Sequence, residues 1–344
     1  MNVLVTGAST PLGTALVQAL LDLQDTAHVV GVGADPWPRE LPPPGARFTY
    51  VQMDLTHRRE IRSLLGGPRR AVGVDAIVHT ALHRSVQAAG RRVHRLNVEA
   101  TRALLELAQD HPTVRQFVYR SYAEIYRVAE DSPCLVGEDH PLEFAPEAPQ
   151  WVRDRVEADL TVCSQMGLSP LRIVVLRCAE LFAPDSGSQI YDYVRSRVCL
   201  RPIGYDPMLN LLSMEDAVRA HLLALRGTVQ GVFNIAGCDT LPLSRLVAVT
   251  SRVGVPVPGP LLAPLYRLRR ATVGTEFSYR MNAPRFHLGG VLDGSRAHSE
   301  LGYEPRAPLS WKEVRRWLAE ERPSLQSFRR RRRLRRTTAG NRAR

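Results

Sequence analysis

The short apolar run Met1–Val5 passes directly into Thr6-Gly7-Ala8-Ser9-Thr10-Pro11-Leu12-Gly13, and apolar positions then recur at helical spacing from Ala15 to Leu23. Five residues are too few for a helix, so the order reads strand, glycine turn, helix. No other feature narrows the fold so far. Such a turn aims backbone N–H groups that the helix cannot satisfy at one spot, and the helix dipole suits that spot to a phosphate group. A glycine turn alone is a weak signal; between a first strand and a helix it is a specific one. Thr10 followed by Pro11 adds a local rule of its own, an N-cap hydroxyl ahead of a proline at the first helical position.

The same rhythm continues down the chain. Strands are expected at His28–Val32, Phe48–Met53, Ala76–His79, Gln116–Tyr119 and Leu171–Leu176, and helices at Arg58–Leu65, Val93–Gln109 and Pro149–Gln165. A Pro-rich loop runs from Pro36 to Gly45. Strands alternating with helices imply a parallel sheet covered on both faces, because parallel neighbours need a crossover. The expected fold is therefore α/β, with a Rossmann-type doubly wound parallel sheet over residues 1–180. After Ala183 prolines, glycines and arginines become frequent, and Val253–Pro264 holds four prolines. Residues 181–322 are expected to form a smaller C-terminal α/β lobe, interleaved with the sheet. Trp311–Glu321 reads as a last amphipathic helix stopped by Pro323.

Length and charge set further bounds. At about 150 residues per domain, 344 residues make two domains or one large one, and 44% apolar residues are enough for a sizeable core. The formal charge is +12, but Ser327–Arg344 holds nine arginines and no acidic residue, which leaves 12 − 9 = +3 on the rest. This excludes reading the whole chain as a basic nucleic-acid binder. The segment 323–344 reads as an Arg-rich, disordered tail, either merely solvated or attached electrostatically to nucleic acid or to anionic membrane lipid. Of the 46 basic residues only Lys312 is a lysine. Five scattered cysteines without C-x-x-C spacing argue against a disulfide framework and a zinc site, and His79, His83 and His94 have no metal-ligand spacing. No metal site is expected. Glu138 and Asp139 read as solvent-loop charges. Met1–Leu21 carries no charge, yet it lacks the basic start of a signal peptide and is broken by Gly7, Pro11 and Gly13. The expectation is a cytoplasmic protein without a transmembrane segment, associated with membranes or polyanions only through its tail.

The glycine turn resembles the TGxxGxxG turn of the extended short-chain dehydrogenase/reductase family, the NAD-dependent epimerase/dehydratase proteins. Further matches follow in order: Asp54-Leu55, Val74–Ala81, Asn97–Thr101, Arg177, Leu212–Asp216, Asp293–Arg296 and Leu301–Pro305. The resemblance implies a dinucleotide, NAD or NADP, with Gly7 and Gly13 at the pyrophosphate and Ser9, Thr10 and Leu12 of the same turn among its contacts, and it gives His79 the place of a strand-end packing histidine. It places Asp54 and Leu55 at the adenine and Ala81 and Leu82 along the site, with Asn97 and Arg155 completing the set. It also implies a homodimer joined through Val93–Gln109 and Pro149–Gln165. Two positions depart from the family. Thr10 stands at the middle glycine, and Gly33-Ala34 stands where NAD-binding members have an acidic residue, with Asp35 following late. NAD and NADP both remain open on this reading.

The family's acid/base pair is Tyr-x-x-x-Lys on a helix, assisted by a Ser or Thr. Here Trp151 stands in the tyrosine place, Arg155 in the lysine place and Tyr122 in the Ser/Thr place. An indole N–H cannot act as a base near neutral pH. Three readings follow. The first is a dinucleotide-binding protein without the family's standard catalysis, serving as a sensor, scaffold or regulatory partner. The second is an epimerase, dehydratase or oxidoreductase on a nucleotide sugar or similar alcohol, with Tyr122 or Tyr126 replacing the lost phenol beside Arg155. The third is a structural protein with an empty, collapsed cleft. Tyr122 is either that replacement phenol or an aromatic packed near Trp151.

Overall fold

Val3 and Val5 join the apolar core on one side of the first strand and Leu4 joins the core on the other, and all three are fully buried. Alternation with both sides buried is what a sheet covered on two faces requires. The computed structural model describes residues 1–66, 73–272 and 276–320. Its central sheet has seven strands: β1 (Asn2–Thr6), β2 (His28–Gly33), β3 (Phe48–Gln52), β4 (Ala76–His79), β5 (Gln116–Tyr122), β6 (Arg172–Cys178) and β7 (Gly231–Ile235). Their order is β7-β6-β5-β4-β1-β2-β3, and every pairing is parallel. The expected doubly wound Rossmann-type sheet is present. Its order reverses between β1 and β4, so a crevice opens there beyond the carboxyl ends of the strands.

Helix α1 (Pro11–Asp22) and helix α5 (Met214–Arg226) cover one face through Leu16, Leu20, Ala217 and Ala220. On the other face lie α2 (Arg58–Gly66), α3 (Arg91–Gln109) and α4 (Gln150–Cys163), which contribute Leu64, Leu104, Ala158 and Val162. Helix α3 is not a uniform α-helix. Arg95–Glu99 forms a π-helical turn between Arg91–His94 and Ala100–Gln109, a feature the regular apolar spacing did not announce. π-turns insert extra backbone where a side chain must be re-aimed. Here the turn carries Asn97, which is buried. The outward sides of α3 and α4 hold the ion pairs Arg95–Glu99 and Arg102–Glu157.

The lobe has its own core of Phe182, Tyr193, Leu211, Leu246, Leu262, Phe286 and Val314. It is built on a three-stranded sheet (Glu180–Leu181, Met208–Leu212, Asp239–Pro242) and on the parallel pair Val198–Pro202 with Val253–Val257. Lobe and sheet share the chain repeatedly. Core membership passes from sheet to lobe after Leu181, back at Leu212, out again after Ile235, back at Leu292 and out once more after Tyr303. Strand β7 was not anticipated from sequence. Its segment Gly231-Val232-Phe233-Asn234-Ile235 is short and becomes a strand by pairing beside β6. The Arg-rich segment 323–344 lies outside the described residues.

Candidate functional site

The glycine turn is held by close packing. Gly7 adopts φ +72°, and a Cβ there meets Thr80 Oγ1 at 2.9 Å and Ala81 Cα at 3.0 Å. A Cβ on Gly13 collides with the Gly7 carbonyl, so strand and helix approach as only glycine allows. Thr10 caps the helix as its sequence context requires: its Oγ1 accepts from the Gly13 N–H at 3.1 Å, ahead of Pro11. The Thr10 N–H itself donates to the Gly7 carbonyl. Pro11 has no N–H, so the cap leaves the Leu12 N–H as the first-turn donor open to an anion. Thr10 thus takes over hydrogen-bonding capacity that a middle glycine leaves to a ligand.

Beyond the turn lies an open cleft of about 700 Å³, with Gly7, Ser9 and Thr10 on one side and Asp35, Asp54, Leu55, Ala81 and Leu82 around it. Eight of the anticipated ligand-contact residues therefore share one wall system. The Asp35 carboxylate is steadied by Ser9 Oγ, which donates to it at 2.9 Å, and it projects into the cleft from the end of β2. A Cβ on Gly33 would strike the Tyr50 hydroxyl and Ser9, which keeps this corner small. Asp54 accepts from the Thr56 N–H at 3.0 Å and from Arg92 at 2.9 Å. Burial pushes its carboxyl up, but those hydrogen bonds and the Arg92 charge outweigh it, and the net shift is downward. Gly13 sits beneath the turn and Leu12 borders the neighbouring crevice. Asn97 stands elsewhere. It lies behind the wall, where its Oδ1 accepts from the His83 N–H at 2.9 Å and its Nδ2 donates to Asp154 at 3.1 Å. Its part is to fix the loop after β4, because the π-turn aims it at that loop.

His79 shows how this wall is braced. Thr101 Oγ1 donates to the Asn97 carbonyl, so toward His79 Nε2 at 2.9 Å it must accept. His79 Nδ1 therefore accepts from Thr6 Oγ1 at 2.6 Å, which fixes one neutral tautomer. Burial pushes its pKa down to about 4. His79 is the packing residue the resemblance indicates.

The other end of the crevice is filled. Between Thr10, Leu12, Thr80 and Leu82 on one side and Tyr122 and Arg155 on the other, about 10 Å³ remains. That is the space of about one water. The Arg155 guanidinium lies 3.4 Å from the Trp151 ring and 3.7 Å from the Tyr122 ring, so the two aromatics are not in direct stacking contact but clamp the cation between them. Arg120 covers the Tyr122 ring as well, at 4.5 Å. All three members of the clamp are buried. Arg155 reaches Glu124 at 3.3 Å, Arg285 lies 4.0 Å from Glu124, and Arg285 reaches Glu180 at 2.8 Å. The buried Arg155 and the half-buried Arg285 thus alternate with two buried carboxylates in a row. Burial pushes Glu124 up, Arg155 opposes this and Glu180 reinforces it, and the net shift is upward. Glu180 moves down: burial is outweighed by the Arg285 charge and by hydrogen bonds from the Ile190 N–H and Ser188. Glu124, Glu180, Arg285 and Asn210 also line a separate cavity of about 50 Å³.

Against known proteins, the NAD dependent epimerase/dehydratase family matches residues 3–236. The chain belongs to this family. An uncharacterized protein of Mycobacterium tuberculosis is 28% identical over 307 residues, 88% of this chain and 80% of the relative. Among solved structures, the dTDP-glucose 4,6-dehydratase DesIV of Streptomyces venezuelae with NAD bound is 22% identical with a TM-score of 0.71, covering 94% of this chain and 98% of that one. The UDP-glucose 4-epimerase of Thermotoga maritima is 17% identical with a TM-score of 0.67, covering 93% and 98%. At these identities the structures establish the fold.

On the sequence reading Trp151 and Arg155 fall in the family's tyrosine and lysine places, and the structure stacks the two against each other. Tyr126 is committed elsewhere. Its hydroxyl donates to Asn234 Oδ1 at 2.7 Å and accepts from Arg177 at 3.1 Å. Burial pushes its pKa up to about 12 despite the nearby arginine. Arg177 also pairs with the buried Asp159 at 2.7 Å. Glu138 is part of the same network rather than a free solvent charge: its carboxylate accepts from the Asn234 N–H at 2.7 Å. Asp139 is exposed, as anticipated. Glu124 was not singled out from sequence, although it lies two residues beyond Tyr122. Among the described residues no group of His, Cys, Asp or Glu has the arrangement of a metal site, and no helix is long and apolar enough to cross a membrane.

Proposed function

We propose that this chain binds NAD chiefly through its adenosine diphosphate half and does not perform the family's alcohol chemistry, so that it acts as a dinucleotide-responsive sensor or regulatory partner. The observation that carries this is the clamped Arg155, buried between Trp151 and Tyr122 at the end of the crevice where the family's tyrosine and lysine work. The open 700 Å³ cleft suits the adenosine end. Gly7 and Gly13 would let backbone approach the pyrophosphate, the Leu12 N–H would donate to it, and Asp35 would accept from the ribose hydroxyls. A carboxylate in that corner disfavours an additional 2′-phosphate, which makes NAD the expected ligand over NADP. Bound NAD supplies hydride-transfer chemistry in this family. Here Trp151 is unable to take a proton and Arg155 remains a cation.

Calorimetry with NAD, NADP and ADP-ribose tests the reading, together with turnover assays on nucleotide sugars. NAD and ADP-ribose are expected to bind within about threefold of each other, as no room is kept for the second half, with no turnover. NAD binding far tighter than ADP-ribose overturns it. So does a wild-type turnover that disappears in Tyr122→Phe.

A second reading has its own support. Glu124 is a buried carboxyl with a raised pKa on the wall of the 50 Å³ cavity, paired to Arg155, which is the kind of group that serves as an acid or base. On this reading Glu124 and Tyr122 replace the missing pair, and turnover is lost in Glu124→Gln as well as in Tyr122→Phe.

A further inference from the structure

We propose that the lobe helix Gly259–Thr272 is a docking face for an anionic lipid bilayer. Its inner side is anchored by Leu262 and Tyr266, both buried in the lobe core. Its outer side is apolar and bare. Leu261, Leu265 and Leu268 are 53%, 38% and 61% exposed, at the i, i+4, i+7 spacing that places them in one row. Pro264 and Ala271 lie along the same stripe by helical spacing and are exposed. By helical spacing Arg267 and Arg269 border the stripe on its two sides, while Arg270 falls on the far side of the helix. An exposed leucine row edged by arginines on a helix without acidic residues is the composition of a helix that lies in the membrane interface. Exposed apolar residues also lie near both ends of the helix. Arg269 donates to the carbonyl of the exposed Val198 at 2.6 Å, and the exposed Ile203 donates its N–H to Val257 just before the helix begins.

Charge selects the occupant. Residues 240–275 contain five arginines (Arg245, Arg252, Arg267, Arg269 and Arg270) and no aspartate or glutamate. A second copy meeting this face about a two-fold axis would set the same arginines against themselves, which repels. A bilayer with anionic headgroups instead neutralises the flanking guanidinium groups while the leucines enter the acyl boundary. The nine arginines of Ser327–Arg344 add attraction to the same kind of surface.

The full chain is tested by co-sedimentation with phosphatidylcholine vesicles, with and without phosphatidylglycerol, at roughly 0.15 M salt, where charges are screened beyond ~8 Å. Binding is expected only with the anionic lipid. The triple variant Leu261→Ser, Leu265→Ser, Leu268→Ser is expected to lose at least about tenfold in affinity, since apolar burial is what it removes. Arg267→Gln is expected to lose about fivefold. Because these positions are exposed, melting by circular dichroism should be unchanged and separates lost docking from lost folding. A Leu265→Trp probe should shift to the blue on vesicles. Wild-type binding by the triple variant overturns the proposal, as tail arginines alone then account for it. Binding to duplex DNA without binding to vesicles overturns it, and so does a dimer that the triple variant abolishes.

Discussion

Beside Gly33 and Asp35, small residues and backbone keep a space of about 700 Å³; beside Tyr122 and Arg155, two rings and two guanidinium groups leave about 10 Å³. Both ends of this crevice are reached from the same parallel strands and the same topological switch, so the fold does not set the difference. Side-chain volume does. At the open end the critical positions carry no Cβ, and the polar groups are steadied near the surface. At the filled end a cation is stacked on aromatics and neutralised by a buried carboxylate, an arrangement whose parts depend on one another. On the proposed reading, a Rossmann sheet would keep its ligand-binding half while side chains fill the other half.

That contrast can be broken most strongly at the filled end. Arg155→Ala leaves Glu124 without its nearest counter-charge in a buried site, and the expected cost is about 3–5 kcal/mol of folding stability, read by urea denaturation. ADP-ribose affinity is expected to stay within about threefold of wild type. At the open end the signature is reversed. Gly13→Val forces the helix away from the Gly7 carbonyl, costing about 1–3 kcal/mol of stability, and it removes dinucleotide binding by calorimetry.

His79 gives a smaller effect with a definite sign. The unfolded chain protonates this histidine near pH 6.5 and the folded chain only near 4. Between those values the unfolded state holds more protons. The contribution is therefore complete above about 6.5 and falls toward pH 4 at about 1.4 kcal/mol per pH unit. Thermal melts across that range should show the slope, and His79→Gln should flatten it, although the buried His221, also held near 4, retains its own share. Least of all, Asp35→Asn is expected to weaken NAD by about fivefold and to narrow its margin over NADP, a loss of about 1 kcal/mol for one charged hydrogen bond.

The open half was legible in the sequence because its determinants are local. Thr6–Gly13 carries strand, turn, cap and helix start within a few residues, and Thr10 with Pro11 specified the cap that the structure displays. The filled half was legible only as substitutions. Trp151 and Arg155 stand four apart on one helix, so their proximity follows from spacing. Tyr122, Glu124 and Arg285 come from other elements, and no pattern within any one segment brings them together. Strand β7 and the paired strands of the lobe share that limitation, as they gain their character from partners distant in the chain. The π-turn at Arg95–Glu99 leaves no mark in the apolar spacing; Asn97 was placed at the ligand by resemblance, and the turn instead aims it at the loop after β4.

The repeated passage of the chain between sheet and lobe has a mechanical consequence. Five crossings, at Leu181, Leu212, Ile235, Leu292 and Tyr303, act as straps spread around the join rather than as one pivot. Swinging the lobe outward would have to bend all of them together, which a single strained loop never demands of a two-domain enzyme joined by one linker. The body behaves as a braced frame. In such a frame, room at the stacked arginine would come from turning side chains rather than from moving the lobe, and the cleft beside Gly33 and Asp35 would stay open as the way in.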